Sequence, residues 1–355
     1  MTMEQTIILA AGGTGGHLTP ALALADDLVK NNCKVILITD ERCKQYLIGD
    51  FPFEILCLKS VNLSLKPLKL LLFIIYTFKN IVKITKLIYL HKIRLMISFG
   101  GYTAFAANIS AVVNYRKLIL HEQNSVAGRL NKLFACYATK IFCNFPKVRG
   151  LERYDNKTHH TGFLVENYQC KFARKAHEKF TILIVGGSQG ASFLADFSYN
   201  LLSSLDQGLR KNIKIIQQVK QQQHKELAIK YDKLNIEYEL SEYFNDIKAK
   251  YLESDFVIAR SGASTMGELI NYNLPAIYIP YPFAMNDHQY HNASYLAAKE
   301  ASFLYRENEV DYNLISNLLQ KVIKEPQYLK SLAQKLNKIK NEHNPKLIVE
   351  LLKKL

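Results

Sequence analysis

The chain has 355 residues, 48% hydrophobic and 22% charged, with a formal net charge of +15 from 46 Lys and Arg against 31 Asp and Glu. That length exceeds what one hydrophobic core usually serves, so two domains are expected, and the composition excludes a disordered or fibrous chain. The cationic excess points to an anionic partner (nucleic acid, anionic lipid or phosphorylated substrate), and six cysteines with no CxxC pair or metal-ligand spacing read as reduced cytosolic thiols rather than a disulfide framework.

The apolar run Thr6 to Ala10 reads as a buried strand, with no signal-peptide pattern before it. It leads into Ala11-Gly12-Gly13-Thr14-Gly15-Gly16-His17, and Leu18 to Lys30 then has helical periodicity with Pro20 in its first turn. Strand, glycine turn and helix together let a backbone approach a ligand at a helix N-terminus, which carries unpaired N–H groups and a positive dipole end. His17 is the titratable side chain at that mouth. The loop is neither the GxGxxG dinucleotide spacing nor a P-loop, although Asp40 at the end of the second strand keeps one feature of the former.

Further strands are expected at Lys34–Thr39, Phe53–Leu58, Arg94–Ser98, Lys117–Leu120 and Lys140–Cys143, with helices between most of them. This is the rhythm of a parallel sheet with right-handed crossovers, whose ligands bind beyond the carboxyl ends of the strands. The opening loop, the turn Phe99-Gly100-Gly101-Tyr102 and the stretch His121-Glu122-Gln123-Asn124 all fall at such ends. Between Ile55 and His121 there are ten Lys or Arg and no Asp or Glu. Within it, Lys66 to His91 reads as an apolar helix after Pro67. Its uncharged run, Leu70–Phe78, is far short of the ~20 residues a membrane span needs. Lys79, Lys83 and Lys86 share one helical face, and Leu70, Leu71, Ile74, Ile75, Ile81, Ile84 and Ile88 supply apolar surface around them. That combination suits an anionic bilayer surface; a crossover helix with solvated lysines is the alternative.

A linker is expected at Phe163–Phe180, after which the rhythm restarts. Strands are expected at Thr181–Val185, Ile213–Val219, Ile236–Leu240, Asp255–Ala259 and Ala276–Pro280. Helices are expected after Gly190 to about Leu205, from about His288, at Asn313–Glu325 and Gln327–Glu342, and after Pro345. Gly186-Gly187-Ser188-Gln189-Gly190 repeats the logic of the opening loop and can hold a phosphate or a sugar hydroxyl. It also matches GxSxG, which leaves Ser188 a hydrolase nucleophile as a weaker reading, since no HGGG stretch accompanies it. Ser264 and Thr265 open a helix after Gly262. Glu268 reads either as a ribose ligand or as the acid of a capping box with Thr265. His288 and Gln289 read equally as hydroxyl ligands or as a polar helix start. No HExxH and no DxD pair is present to hold a catalytic metal, and no interleaved basic and aromatic motif supports nucleic-acid binding.

In order along nearly the whole chain, GGTGGH, FGGY, HEQN, GGSQGA, RSGAST-x-x-E and DHQ-x-x-NA resemble the MurG glycosyltransferases of peptidoglycan synthesis. The resemblance implies the α/β GT-B fold: two Rossmann-like, doubly wound parallel-sheet domains facing a central cleft. It implies an acceptor- and membrane-facing domain at 1–163, a UDP-sugar-binding domain at 164–340, and a C-terminal helix at 341–355 that can pack back on the first domain. The implied reaction is inverting transfer of N-acetylglucosamine from UDP-N-acetylglucosamine to undecaprenyl-diphosphate-muramoyl-pentapeptide (lipid I). Its products are lipid II and UDP, formed at the cytoplasmic face of a bacterial inner membrane by a peripheral enzyme. The implied partners are these two substrates and the anionic membrane surface, with no nucleic acid, no cofactor and no metal; other cell-wall enzymes are compatible partners.

Carried over residue by residue, the resemblance puts Thr14, Gly15, Gly16 and Asn124 of the first domain over the donor. It puts Ser188, Gln189, Phe244, Ala263, Ser264, Thr265, Met266, Gly267, Glu268 and Gln289 of the second on UDP-N-acetylglucosamine, with Glu268 at the ribose, Gln289 at the sugar and a backbone contact of Phe244 at uracil. His17 is the candidate general base, its ordinary pKa suiting the task, and Glu122 the alternative. Lys66, Lys69, Lys79, Lys83 and Lys86 face the membrane. The chain departs from the family at Gly162-Phe163-Leu164-Val165-Glu166, where Glu166 replaces an arginine, at Gln217-Gln218-Val219-Lys220, and at Ala104-Phe105, where a serine-glycine pair is usual. Two rival readings remain: a GT-B enzyme that glycosylates diacylglycerol, and a nucleotide-sugar-binding protein that has lost catalysis.

Overall fold

The computed structural model describes residues 5–13, 15–47, 49–64, 66–166 and 178–354, and the backbone alone for 187–191. Most of the expected linker and Thr14 therefore lie outside the described residues. The chain forms two compact units, one of residues up to 166 plus those from 343 onward, the other of the chain between.

The first unit is built on seven strands: β1 (Thr6–Ala11), β2 (Lys34–Asp40), β3 (Glu54–Leu58), β4 (Leu95–Gly100), β5 (Lys117–Glu122), β6 (Lys140–Cys143) and β7 (Thr158–His160). All pairings are parallel and the order is β3-β2-β1-β4-β5-β6-β7. Helices cover both faces of such a sheet, so its central strands are apolar throughout rather than alternating; Ile7, Ile8 and Leu9 are wholly buried. The helix Gly15–Lys30 buries Leu18, Ala21, Leu24, Ala25 and Leu28, the spacing of one helical face. It starts three residues earlier than the periodicity suggests, so Pro20 sits inside it, where it forgoes one intrahelical hydrogen bond. The helix Lys346–Leu352 adds Ile348, Val349 and Leu352 to the same core. The Asn344 N–H donates to the Thr161 carbonyl (3.0 Å), pinning the returning chain beside β7.

The second unit has six parallel strands: β8 (Phe180–Val185), β9 (Ile213–Gln218), β10 (Glu237–Ser241), β11 (Phe256–Ala259), β12 (Ala276–Tyr278) and β13 (Phe303–Leu304), ordered β10-β9-β8-β11-β12-β13. In each sheet the connections reverse direction once, between β1 and β4 and between β8 and β11. Beyond the carboxyl ends of strands at such a reversal, neighbouring loops diverge and leave room for a ligand. The helix after β8, Gly187–Ser203, begins without an intervening glycine turn, so Gly187 to Gly190 form its first turn.

Candidate active site

At the reversal point of the second sheet, Arg260-Ser261-Gly262 leaves β11 and enters the helix Ala263–Asn271. Gly262 caps this helix in extended conformation, and the first intrahelical bond is from the Met266 N–H to the Gly262 carbonyl (3.0 Å). The N–H groups of Ala263, Ser264 and Thr265 come before it at the positive end of the helix, an arrangement suited to an anion. Ser264 and Thr265 are half-buried, whereas Met266 is fully buried. The Met266 N–H is spent within the helix and its side chain lies in the core, and Gly267 beside it is buried too. The helix starts three residues before the place a Thr265–Glu268 capping box requires, and no side chain caps it. Glu268 instead accepts a hydrogen bond on Oε2 from the Tyr251 hydroxyl (2.6 Å). Burial, and then the Glu268 charge and hydrogen bond, raise the Tyr251 pKa well above its ordinary value, so the phenol stays protonated as the donor.

The loop after β12 is tied to the same place. Arg260, buried, donates from Nη1 to the carbonyls of Ile279 (3.0 Å) and Pro280 (3.1 Å) and pairs through Nη2 with Glu307. Gln289 Oε1 accepts from the Tyr281 N–H (2.9 Å), which turns its amide Nε2 into the group that can donate outward. The Gln289 carbonyl accepts from Ser261 Oγ (2.8 Å), and Asn292 Nδ2 donates to the Ser261 carbonyl (3.1 Å). Asn286 and Asp287, both left-handed (φ 53° and 54°), turn the chain into the helix His288–Ala298, and His288 Nδ1 donates to the Met285 carbonyl (2.9 Å). Phe244 follows β10 and is nearly buried, with the Lys250 ammonium 6.0 Å from its ring centre. The side chains of Ser188 and Gln189 lie outside the described residues.

At the reversal point of the first sheet, Gly15 and Gly16 form the first helical turn and His17 follows, half-buried. His17 Nδ1 is 2.9 Å from the Gly12 carbonyl. A carbonyl only accepts, so Nδ1 carries the proton and Nε2 is the basic nitrogen of the neutral ring. The ring packs on Gly100, where a methyl group would come 3.0 Å from Nε2. Glu122, buried, accepts on Oε1 from the Asn124 N–H (2.9 Å) and on Oε2 from the Gly128 N–H (2.9 Å) and Asn131 Nδ2 (2.8 Å). A carboxylate so engaged holds a loop, and the geometry favours that role for Glu122 over proton transfer. The neighbouring His121 is fully buried and accepts on Nδ1 from Gln123 Nε2 (3.0 Å). Burial, and then the proximity of His17, lower its pKa to about 3, so it stays neutral.

Asp40, the acid that kept one feature of the dinucleotide-binding pattern, is occupied within the protein. Its Oδ2 accepts from Arg42 Nη2 (2.7 Å) and Thr103 Oγ1 (3.1 Å), and its Oδ1 from the Arg42 N–H and Nε (3.1 Å each). Burial would raise this carboxyl, but the Arg42 and Thr103 interactions outweigh it and hold the pKa below its ordinary value.

The helix Pro67–Leu90 buries only Asn80, Ile84 and Ile88. Ile84 and Ile88 thus face inward, not among the lysines as the periodicity suggested. The exposed stripe comprises Leu68, Leu71, Ile74, Ile75, Phe78 and Val82, flanked by exposed Lys79, Lys83 and Lys86. Lys66 and Lys69, at its N-terminal end, are exposed too. Phe73 stacks on Phe105 (5.9 Å) and meets Tyr102 edge-on (6.2 Å), so the departure at Ala104-Phe105 extends an aromatic ladder from this helix to the glycine edge. No helix among the described residues is long and apolar enough to cross a membrane.

Sequence reasoning missed Tyr251, Arg260, Asn131 and the Asp40–Arg42–Thr103 group. Arg260 had a local signal, a charged residue directly after a buried strand, as did Asp40 at the end of β2; Tyr251, Asn131 and Thr103 are joined to their partners only by the fold.

Two all-parallel Rossmann-like units, each with glycine-rich or polar turns at its switch point, are the architecture of the GT-B fold class. The N-terminal domain of glycosyltransferase family 28 matches residues 7–143, and the C-terminal domain of that family matches residues 181–350. A Rickettsia felis protein named UDP-N-acetylglucosamine--N-acetylmuramyl-(pentapeptide) pyrophosphoryl-undecaprenol N-acetylglucosamine transferase is 36% identical, over 95% of this chain and 96% of its own. Its counterpart of the same name in Rickettsia rickettsii is 35% identical, over 99% and 100%. The crystal structure of Acinetobacter baumannii MurG superposes with a TM-score of 0.76 at 26% identity, covering 99% of this chain and 100% of that one. A glycosyltransferase of kitacinnamycin, 11% identical with a TM-score of 0.72, shares the fold. The chain belongs to the MurG family of glycosyltransferase family 28.

Proposed function

We propose that this protein transfers N-acetylglucosamine from UDP-N-acetylglucosamine to undecaprenyl-diphosphate-muramoyl-pentapeptide, giving lipid II and UDP. The observation that carries this reading is the match, along nearly the full length of both chains, to a relative named for that transferase. The unit containing β8 to β13 binds the donor: Ala263, Ser264 and Thr265 at the diphosphate, Glu268 at the ribose, Gln289 at the sugar, and Phe244 near the base. Ser188, Gln189, Thr14, Gly15, Gly16 and Asn124 complete the proposed donor contacts. The unit containing β1 to β7 receives the acceptor. Its hydroxyl attacks the anomeric carbon as the bond to UDP breaks, and His17 Nε2 takes the hydroxyl proton in the same step. The helix start at Ala263 stabilises the charge growing on the departing diphosphate.

We also place the enzyme on the cytoplasmic face of the inner membrane, through the exposed apolar stripe and lysines of the helix Pro67–Leu90. Apolar side chains enter the headgroup boundary while lysines beside them meet anionic lipid. The test is transfer of labelled sugar from UDP-N-acetylglucosamine to a lipid I analogue. Labelled lipid II is the expected product. Intact UDP binding without transfer would reduce the protein to a nucleotide-sugar-binding module, and transfer to diacylglycerol instead would make it a glycolipid synthase. Replacing Lys79, Lys83 and Lys86 together with Gln should weaken sedimentation with anionic vesicles about a hundredfold at low salt, from about 1 kcal/mol per lysine. Unchanged sedimentation would remove this face from the proposal.

A further inference from the structure

Asp40 lies at the end of β2, a position at which dinucleotide-binding sheets present an acid to a ribose. Here the acid is buried and turned onto the opening loop. A methyl group on Gly12 would lie 2.7 Å from Asp40 Oδ2, 2.8 Å from Thr103 Oγ1 and 3.0 Å from Thr103 Cβ. On its other side Gly12 meets Gly101, which is left-handed (φ +88°) and whose own hypothetical side chain would strike the Gly12 carbonyl. The Gly12 N–H donates to the Gly100 carbonyl (3.1 Å). Gly12 is thus held at its Cα by a wall of Asp40 and Thr103, at its carbonyl by Gly101, and through its N–H, which belongs to the preceding peptide, by one hydrogen bond to β4. The wall is itself fixed, because Arg42 grips both Asp40 oxygens and is braced by Asn62 Oδ1 (2.6 Å) and Ser60 Oγ (3.3 Å). The carbonyl of this clamped residue is the one that accepts the hydrogen bond from His17 Nδ1.

We infer that Asp40, locked by Arg42 and Thr103, is a positioning residue for His17. By fixing the Gly12 carbonyl it selects the ring tautomer with the proton on Nδ1, which leaves Nε2 as the base. A free imidazole exchanges between two tautomers, and only one has its lone pair on Nε2. A peptide free to rotate would release that selection and let the ring turn off Gly100. The absence of a side chain at Gly12 therefore serves packing within the protein rather than the approach of a ligand. The inference rests on the reading of His17 as the base.

The test separates the two. With isotope-labelled histidine, long-range proton–nitrogen correlation spectra report each ring's tautomer, and the His17 signals are identified by their loss in His17→Gln. The wild-type protein should show His17 protonated on Nδ1. Asp40→Ala should shift His17 to a tautomer mixture and lower kcat about tenfold, a modest loss of general-base efficiency, with KM for UDP-N-acetylglucosamine within about twofold of wild type. Thr103→Ala removes the other half of the wall while leaving the Asp40–Arg42 pair in place. It should shift the tautomer in the same direction, and it replaces Asp40→Ala if that variant does not melt cooperatively. Asp40→Asn, which keeps the wall's shape, should hold the Nδ1-protonated form. A His17 spectrum unchanged in both alanine variants overturns the inference. Near-normal turnover of His17→Ala overturns the reading of the base, and the tautomer result is unaffected by that outcome.

Discussion

At the carboxyl edge of the first sheet, Glu122 accepts three N–H groups, Asp40 accepts four hydrogen bonds, and Gly12 has no room for a methyl group. At the same edge of the second sheet, the N–H groups of Ala263, Ser264 and Thr265 precede the first helical bond, and Ser264 and Thr265 are half-buried. The two sheets share the strand order around their switch points, and the same topology has been put to different uses. One edge spends its polar groups internally and orients a single imidazole. The other leaves those donors ahead of the first helical bond and spends its internal bonds on fixing the loops that carry them, through Arg260, Ser261 and Asn292. Under the proposed function the first edge supplies a pre-organised base and the second a pre-organised anion site, the two things an inverting transfer from a nucleoside diphosphate sugar requires.

The largest effect expected from breaking this division is on turnover. His17→Ala should lower kcat by about a hundredfold to ten-thousandfold, the usual contribution of a general base, while UDP binding measured by calorimetry stays within about twofold. Loss of UDP affinity in step with kcat would mean that the first edge also holds the donor. Glu122→Gln should do the reverse of His17→Ala. It places an amide N–H among three donors and removes a charged acceptor, so unfolding free energy should fall by about 2 kcal/mol or more, seen as a lower urea midpoint. A soluble, equally stable Glu122→Gln protein with abolished turnover would restore Glu122 as the base.

The second edge should respond through binding. Glu268→Ala is expected to raise KM for UDP-N-acetylglucosamine about tenfold to a hundredfold with little change in kcat, since a hydrogen bond to a charged group is worth about 1.5–3 kcal/mol. Tyr251→Phe should give a smaller rise, about threefold, because it frees the carboxylate without deleting it. If Tyr251→Phe exceeded Glu268→Ala, the ligand would be touching the phenol and not the acid.

Much of this was legible in the sequence where chemistry and periodicity coincide. The expected bounds of β6, Lys140–Cys143, are those observed, because a buried parallel strand is a continuous apolar run. The short strands β7 (Thr-His-His) and β13 (Phe-Leu) carry no such run and exist only by pairing with β6 and β12. The capping-box reading failed at Thr265 because S/T-x-x-E fits one register, while Gly262 provides a start three residues earlier. In the helix Pro67–Leu90 apolar residues fall on every side, between the lysines as well as opposite them, so its periodicity could not say which isoleucines face inward. The buried marker turned out to be a polar residue, Asn80, whose Nδ2 donates to the Lys59 carbonyl (3.0 Å). Residue types at the site could be named from the motifs. Their states could not: that Asp40 is occupied, that Glu122 is saturated and that His17 is protonated on Nδ1 depend on partners up to 63 residues away.

His121 gives the finest test of how the first edge is set. Its imidazole is neutral in the folded protein because burial lowers its pKa to about 3, against an ordinary value of 6.5, with the proximity of His17 adding to the effect. Between those values the unfolded chain binds a proton that the folded chain refuses. Stability therefore rises with pH across this window, and it falls as pH drops from about 6.5 toward 3, at up to about 1.4 kcal/mol per pH unit from this residue. His121→Asn keeps an acceptor for Gln123 and removes the titration. The urea midpoint of the variant should then depend less steeply on pH below 6.5 than that of the wild type, even if the variant is less stable at neutral pH. Equal slopes would mean that His121 takes up its proton in the folded protein. The first edge would then carry a buried charge in acid and would be an electrostatic device as well as a packed one.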